Sequence, residues 1–392
     1  MLINPTKFIA NYLNQISEGY LVVLFPDGSK KSFGDINSDL QTELHIRDNA
    51  LLKNLLFRGE IALGEGYING LWECDNIANL LKLFVLNFQK TGRLKPKFQG
   101  IFNLLDKISH RFKRNTITKA KDNISAHYDL GNEFFQTFLD KNMVYSCGLF
   151  EKAEDSLEVA QKNKIQQIID QANIQSGQKV LEIGCGWGAF SLTLAQQIDV
   201  SITAITISEE QYYFVKELVA EHELTSRIDV KLEDYRNLEG QYDRIVSIEM
   251  LEAVGHEGLT DFYTQCSNLL NDNGLLSVQV ITMPDSRYES YRKNVDFIQK
   301  YVFPGGHLPS LGALNHASSI QNSFSLQNMN NIGIHYAKTL HSWNQNLQQN
   351  KQKIFELGYP ERLIKIWEYY FGYCQAGFET YLLDNLQLVY TK

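Results

Sequence analysis

The segment VLEIGCGWGAF, residues 180–190, runs from apolar residues through an acid, Glu182, into glycines at 184, 186 and 188. Glycines in a turn between a strand and a helix let the backbone come close to a ligand, at the edge where open α/β sheets bind them. Gly184, Gly186 and Ala189 also satisfy the looser dinucleotide fingerprint, so the turn alone leaves NAD and other adenosine ligands open. The next strand discriminates. A nicotinamide site wants an acid about 20 residues on, for the ribose hydroxyls. Here AITIS ends instead in Thr206 and Ser208, with Gln211 one turn later. Asp234, in LEDYRNL, closes a third strand where it could accept a hydrogen bond from an adenine amino group. Together these residues favour a pocket for S-adenosylmethionine.

The surrounding pattern supplies the elements to hold such a turn. From residue 179, strands and helices alternate: KVLEI, a helix over 189–197, SITAITI, a helix over 209–222, IDVKL, YDRIVSI, a helix over 257–270 and GLLSVQVIT. That alternation predicts a parallel sheet with crossover helices on both faces. Beyond Pro284 come a loop-rich stretch, helical patterns over about 335–356 and 360–384, and a last strand, LQLVYT. Residues 1–90 mix short strands with a helix over 77–88 and read as a small α+β domain.

Composition narrows the class. The chain has 392 residues, 44% of them hydrophobic, enough for a catalytic core and a smaller domain. Five cysteines without close pairs argue against a disulfide framework or a structural zinc, and no metal is expected. The net charge of -8 conceals a basic strip: residues 90–121 carry ten Lys and Arg against Asp106 alone. Within it, FQGIFNLLDKISHRFKR has helical apolar spacing and fits either an anionic bilayer or a packed linker. No nucleic-acid module accompanies it. No secretory leader or run of about 20 apolar residues is evident, so a cytoplasmic protein attached peripherally to the inner membrane face is expected.

The segments GEGYINGLWECD, SAHYDLGNEFF, MVYSCGLFE, VLEIGCGWGAF, AITISEEQ, YDRIVSIEMLEAVG, YVFPGGHLPS and CQAGFE, in that order, resemble the cyclopropane-fatty-acyl-phospholipid synthase family, which includes the mycolic acid cyclopropane synthases. The resemblance implies an α/β fold of the Rossmann-like class I methyltransferase type. It would have a mostly parallel seven-stranded sheet with helices on both faces, preceded by the small N-terminal α+β domain. It divides the chain into an N-terminal lipid- or membrane-associated domain (1–90), a basic linker (91–122) and a catalytic domain (123–392) with a lipid-binding insertion around 283–335. It implies a homodimer acting on unsaturated phospholipid, with methyl transfer from S-adenosylmethionine to a cis double bond and proton loss to close a cyclopropane.

Such chemistry needs a dry aromatic site and one weak base. The resemblance implies that the base is a bicarbonate ion held at Cys147, Glu252, Tyr336 and Cys374. Many family members carry histidine where Gln279 stands; an amide can donate a hydrogen bond but cannot carry a proton through a cycle. That departure keeps a methyl- or methylene-branched product in view, beside the alternative of a lipid-binding protein without activity. The cofactor-contacting set implied by the match is Tyr128, Tyr145, Ser146, Glu182, Gly184, Gly186, Trp187, Thr206, Ser208, Gln211, Asp234 and Tyr235. His127 reads as a hydrogen-bonded loop residue.

Overall fold

The computed structural model describes residues 5–88, 130–320 and 324–392. The basic strip, the amphipathic segment over 98–114, His127 and Tyr128 lie outside the described residues.

Apolar residues alternating in YLVVL make a strand buried on one face, β1 (Tyr20–Leu24), with Leu21 and Val23 fully enclosed. Burying each is worth roughly 1.5–3 kcal/mol. The turn PDGS reverses the chain through Gly28, at φ 81°, into the antiparallel β2 (Lys30–Gly34). β3 (Gln41–Ile46) and β4 (Trp72–Cys74) complete a four-stranded sheet in the order β2-β1-β3-β4. The indole of Trp72, fully buried, donates to the Leu63 carbonyl at 2.8 Å and fixes helix Glu60–Ile68 over the sheet.

This unit docks on the rest of the chain through two helices. Gly64 faces Phe297 and Tyr369 so closely that a Cβ there would lie 2.4 Å from the Phe297 ring. Helix Ile77–Phe88 lies along helix Glu361–Glu379, with Gly372 against Ile77 and Lys82 paired with Glu379 at 2.8 Å.

The second sheet has seven strands: β5 (Lys179–Ile183), β6 (Ser201–Thr206), β7 (Ile228–Leu232), β8 (Tyr242–Ile248), β9 (Leu270–Thr282), β10 (Ser325–Asn331) and β11 (Asp384–Thr391). Their order is β10-β11-β9-β8-β5-β6-β7, and β11 runs antiparallel to both its neighbours. Successive residues of β5 serve opposite faces: Val180 packs with Phe190 and Ala195, whereas Leu181 and Ile183 pack with Leu251 and Phe262. After β7 the chain returns to the other side of β5, so the carboxyl ends of β5 and β8 border the topological switch point.

Three boundaries differ from the sequence reading. β9 begins at Leu270, where it pairs with Tyr242, four residues before GLLSVQVIT. The pattern over 335–356 divides at Asn350 into helices Gly333–Gln349 and Lys351–Glu356, and the pattern over 360–384 stops at Glu379, since the left-handed Tyr381 (φ 55°) turns the chain into β11. The expected insertion of 283–335 contributes helices Asp285–Tyr291, Phe297–Tyr301 and Leu311–Ser319, but its last part is β10, a strand of the sheet itself.

Candidate active site at the switch point

The glycine turn leaves β5 with Gly184 at φ 82° and Gly186 at φ 53°, conformations that side chains with a Cβ rarely adopt. The two have different reasons to be glycine. A Cβ on Gly184 would meet Met250 at 3.0 Å, whereas a Cβ on Gly186 would point into open space that a ligand can use. The amides of Gly184 and Cys185 bond the Ile205 carbonyl at 3.0 and 2.9 Å, tying the turn to the end of β6. There Thr206 donates to the Gln211 side chain at 2.8 Å and accepts from the Ser208 amide, while Ser208 caps helix Glu209–Glu221. These three buried side chains thus form one closed polar knot beside the turn. An open backbone cradle next to fixed polar groups fits an adenosyl sulfonium ligand.

Three other expected cofactor contacts have partners within the protein. Glu182 is buried and accepts a hydrogen bond from the Ser191 hydroxyl, so its carboxylate ties β5 to helix Ala189–Gln197; burial pushes its pKa up to about 8. Asp234 accepts from the Arg236 guanidinium at 2.6 and 2.9 Å and from the Arg236 amide at 3.0 Å. Burial opposes ionisation there, but the bonds and charge of Arg236 hold the carboxyl below the usual range. Acceptor capacity remains on Asp234, since a carboxylate has about four lone-pair sites. The Tyr235 ring is packed edge-on against Phe262 in the core cluster beneath the sheet end.

Within the turn, Trp187 donates to Asn132 at 2.7 Å and lies against Phe135, 5.1 Å between ring centroids. Tyr145 sits between Trp343 (5.2 Å) and Phe303 (6.3 Å, nearly parallel). Ser146 accepts from the Lys164 ammonium at 2.7 Å. Lys164, itself buried, has its pKa lowered by burial, against the opposing charge of Glu249.

Next to Ser146, the Cys147 amide leads to an acid absent from the expected set. Glu249 is the first residue past β8, at φ 50°, and its carboxylate collects donors from four other segments. Oε1 accepts from the Cys147 amide at 2.9 Å, from Gln279 Nε2 at 2.8 Å and from Asn385 Nδ2 at 2.7 Å; Oε2 accepts from the Tyr336 hydroxyl at 2.6 Å. The Gln279 carbonyl in turn accepts from Gln387, and the Gln387 carbonyl from Gln171, so a row of amides fixes the NH₂ of Gln279 toward Glu249. Burial, then the charge of Glu249, raise the Tyr336 pKa well above its usual value and keep the phenol a donor.

Of the expected catalytic residues, the structure therefore gathers Cys147, Gln279 and Tyr336 around one acid. Cys147 contributes its amide; its thiol points to the Ile332 carbonyl at 3.6 Å and is kept neutral by burial and by Glu249. Glu252 lies close enough to Glu249 for their charges to interact, but its Oε1 accepts from the Ile281 amide at 2.6 Å, outside the donor cluster. Cys374, on helix Glu361–Glu379, is not among these donors to Glu249, and burial, then the charge of Asp296, raises its thiol. The position of Glu249, directly after the strand beside the glycine-turn strand, was the available signal for it. Asn385 and Gln387 carried no such signal, being two amides in a last strand.

The model of the mycolic acid cyclopropane synthetase family matches residues 115–388. This chain belongs to that family. It is an S-adenosylmethionine-dependent methyltransferase. It is 33% identical over 352 residues to the tuberculostearic acid methyltransferase UfaA1 of Mycobacterium tuberculosis, covering 87% of this chain and 81% of that one. To the cyclopropane-fatty-acyl-phospholipid synthase of Escherichia coli it is 32% identical over 367 residues, covering 91% and 90%. The crystal structure of mycolic acid cyclopropane synthase CmaA1 with SAH and CTAB superposes with a TM-score of 0.66 at 32% identity, over 69% of this chain and 98% of that one.

Proposed function

We propose that this methyltransferase modifies an unsaturated phospholipid acyl chain, adding the methyl of S-adenosylmethionine to a cis double bond and closing a cyclopropane ring. The sulfonium S–CH₃ bond breaks with its electron pair left on sulfur, and the π bond supplies the pair for the new C–CH₃ bond. The cation left on the neighbouring carbon loses a proton from the new methyl, and that C–H pair closes the ring. The observation that carries the reading is the junction of a carboxylate with aromatic rings: Tyr336, bonded to Glu249, stacks on Phe378 at 4.6 Å and meets Trp343 edge-on at 5.9 Å. Tyr145, Trp343, Trp367 and Phe138 pack ring against ring behind that junction and exclude water from it.

A second product has its own support. If a hydride shifts before proton loss, the cation moves to the methyl-bearing carbon and deprotonation gives an exocyclic methylene. Gln279 in place of histidine, and similarity to a tuberculostearic acid methyltransferase, favour this branch. We place the reaction at a membrane surface, with the enzyme attached peripherally as a homodimer; no helix among the described residues is long and apolar enough to cross a bilayer.

Incubation with S-adenosylmethionine and vesicles of a cis-monounsaturated phospholipid tests the reading. Mass spectrometry should show acyl chains heavier by one CH₂, with stoichiometric S-adenosylhomocysteine. Proton NMR then separates strongly shielded ring protons from vinylidene protons. Unchanged lipid, with the cofactor bound, would refute the assignment.

A further inference from the structure

We propose that Glu249 is the proton acceptor of this reaction, a carboxylate built into the chain where family resemblance leads one to expect bicarbonate. The inference rests on the function proposed above and names the base within it.

Geometry carries the argument. Bicarbonate would need the donors around Cys147, Gln279 and Tyr336, and the Glu249 carboxylate already takes all of them, together with Asn385. A second anion there would find those donors used and would sit against the Glu249 carboxylate. The residues present therefore do not fit bicarbonate. They do fit Glu249: each contact comes from a donor, which is how an ionised, acceptor-only carboxylate is held.

The backbone supports the same reading. A glutamate at φ 50° is uncommon, and such conformations persist where the surroundings enforce them. Here the Glu249 amide still bonds the Gln279 carbonyl at 2.7 Å, so the strand pairing continues while the side chain is turned into the cluster. The row of amides through Gln387 to Gln171 fixes Gln279 as a donor, which suits a fixed carboxylate and needs no proton-carrying histidine.

Chemistry asks little of the base. A methyl C–H beside a carbocation is strongly acidic, so position matters more than basicity. Among the described residues Oε2 accepts from the Tyr336 hydroxyl alone, and a carboxylate oxygen has a second lone pair for the incoming proton. As the C–H bond breaks, its electrons form the last carbon–carbon bond and the proton forms neutral Glu249. The residue is only partly buried, so that proton can pass to water between turnovers.

The test compares the full-length enzyme, with S-adenosylmethionine and phospholipid vesicles, in buffer purged of CO₂ and in buffer with added bicarbonate. The wild-type rate should be the same in both. Glu249→Gln should lose about 100-fold or more, the scale of a removed general base, while its affinity for S-adenosylmethionine by calorimetry is retained. Glu249→Gly, whose residue suits the left-handed backbone, should lose as much and recover about tenfold or more with bicarbonate or formate, which can enter the vacated cluster. A wild type that requires bicarbonate overturns the inference, as does Glu249→Gln within about tenfold of wild type. The wild-type comparison decides the matter even if a variant fails to fold. A wild type that binds cofactor but never alters lipid removes the proposed function, and this inference with it.

Discussion

The two sides of the switch point are built on different principles. The glycine turn is a backbone cradle made by consecutive residues, 184 to 188, whose conformations expose the main chain. The carboxylate cluster is a side-chain cradle: Glu249, Cys147, Gln279, Tyr336 and Asn385 come from five segments separated by as many as 238 residues (385 − 147). Local sequence encodes the first; only the folded sheet assembles the second. The two should therefore fail separately, one in cofactor affinity and the other in turnover.

The strongest way to break that separation is Gly186→Val. A β-branched side chain is poorly tolerated at φ 53° and would fill the open space beside the turn. Affinity for S-adenosylmethionine should fall by about 100-fold, near 3 kcal/mol, as measured by calorimetry. Unchanged affinity would mean that the turn does not cradle the donor.

Tyr336→Phe strikes the other side. It removes a hydrogen bond to a charged acceptor, worth about 1.5–3 kcal/mol, while keeping the ring stacked on Phe378. Turnover should fall by roughly 10- to 100-fold with cofactor affinity unchanged. A parallel loss of cofactor binding would show that the two cradles are coupled.

The contrast also explains what could be read in advance. Alternation of apolar strands with helices exposed the order of elements from β5 to β9, and Gly184, Gly186, Thr206 and Ser208 stood together because short loops place them. Glu249 and Glu252 are three residues apart, and spacing cannot say which acid enters the cluster. The left-handed backbone at Glu249 and the Ile281 amide at Glu252 make that choice, and both are products of the folded chain. Spacing is equally silent on Cys374, whose charge neighbour, Asp296, lies 78 residues earlier in the chain (374 − 296). Asp234 was identifiable, but its partner Arg236 was not, since a neighbouring arginine is more often a solvated charge.

Gln387→Leu sharpens the comparison at longer range. It contacts neither Glu249 nor the glycine turn, yet it frees the Gln279 carbonyl and leaves a buried acceptor unpaired, at about 1–3 kcal/mol of stability. Turnover should drop by roughly three- to tenfold as the Gln279 amide loses its fixed orientation, with cofactor affinity retained. No change in turnover would show that the Cys147, Asn385 and Tyr336 donors hold Glu249 without this row.

The two acids themselves give the finest distinction. Burial, and then the charge of Glu249, push the Glu252 pKa up to about 8 from an ordinary 4.5. The folded state thus holds this proton more tightly than the unfolded chain does. Its stabilising contribution is complete below pH 4.5 and is lost progressively as pH rises through about 8. Glu252→Gln stays neutral throughout, so urea unfolding should show the variant gaining on wild type by roughly 1 kcal/mol per pH unit across that window, with no further gain above it. Glu182, whose pKa is raised to a similar value, is present in both proteins and cancels from the difference. A gap independent of pH would mean that Glu252 is already ionised beside Glu249, and the division between a charged acceptor and a neutral neighbour would fail.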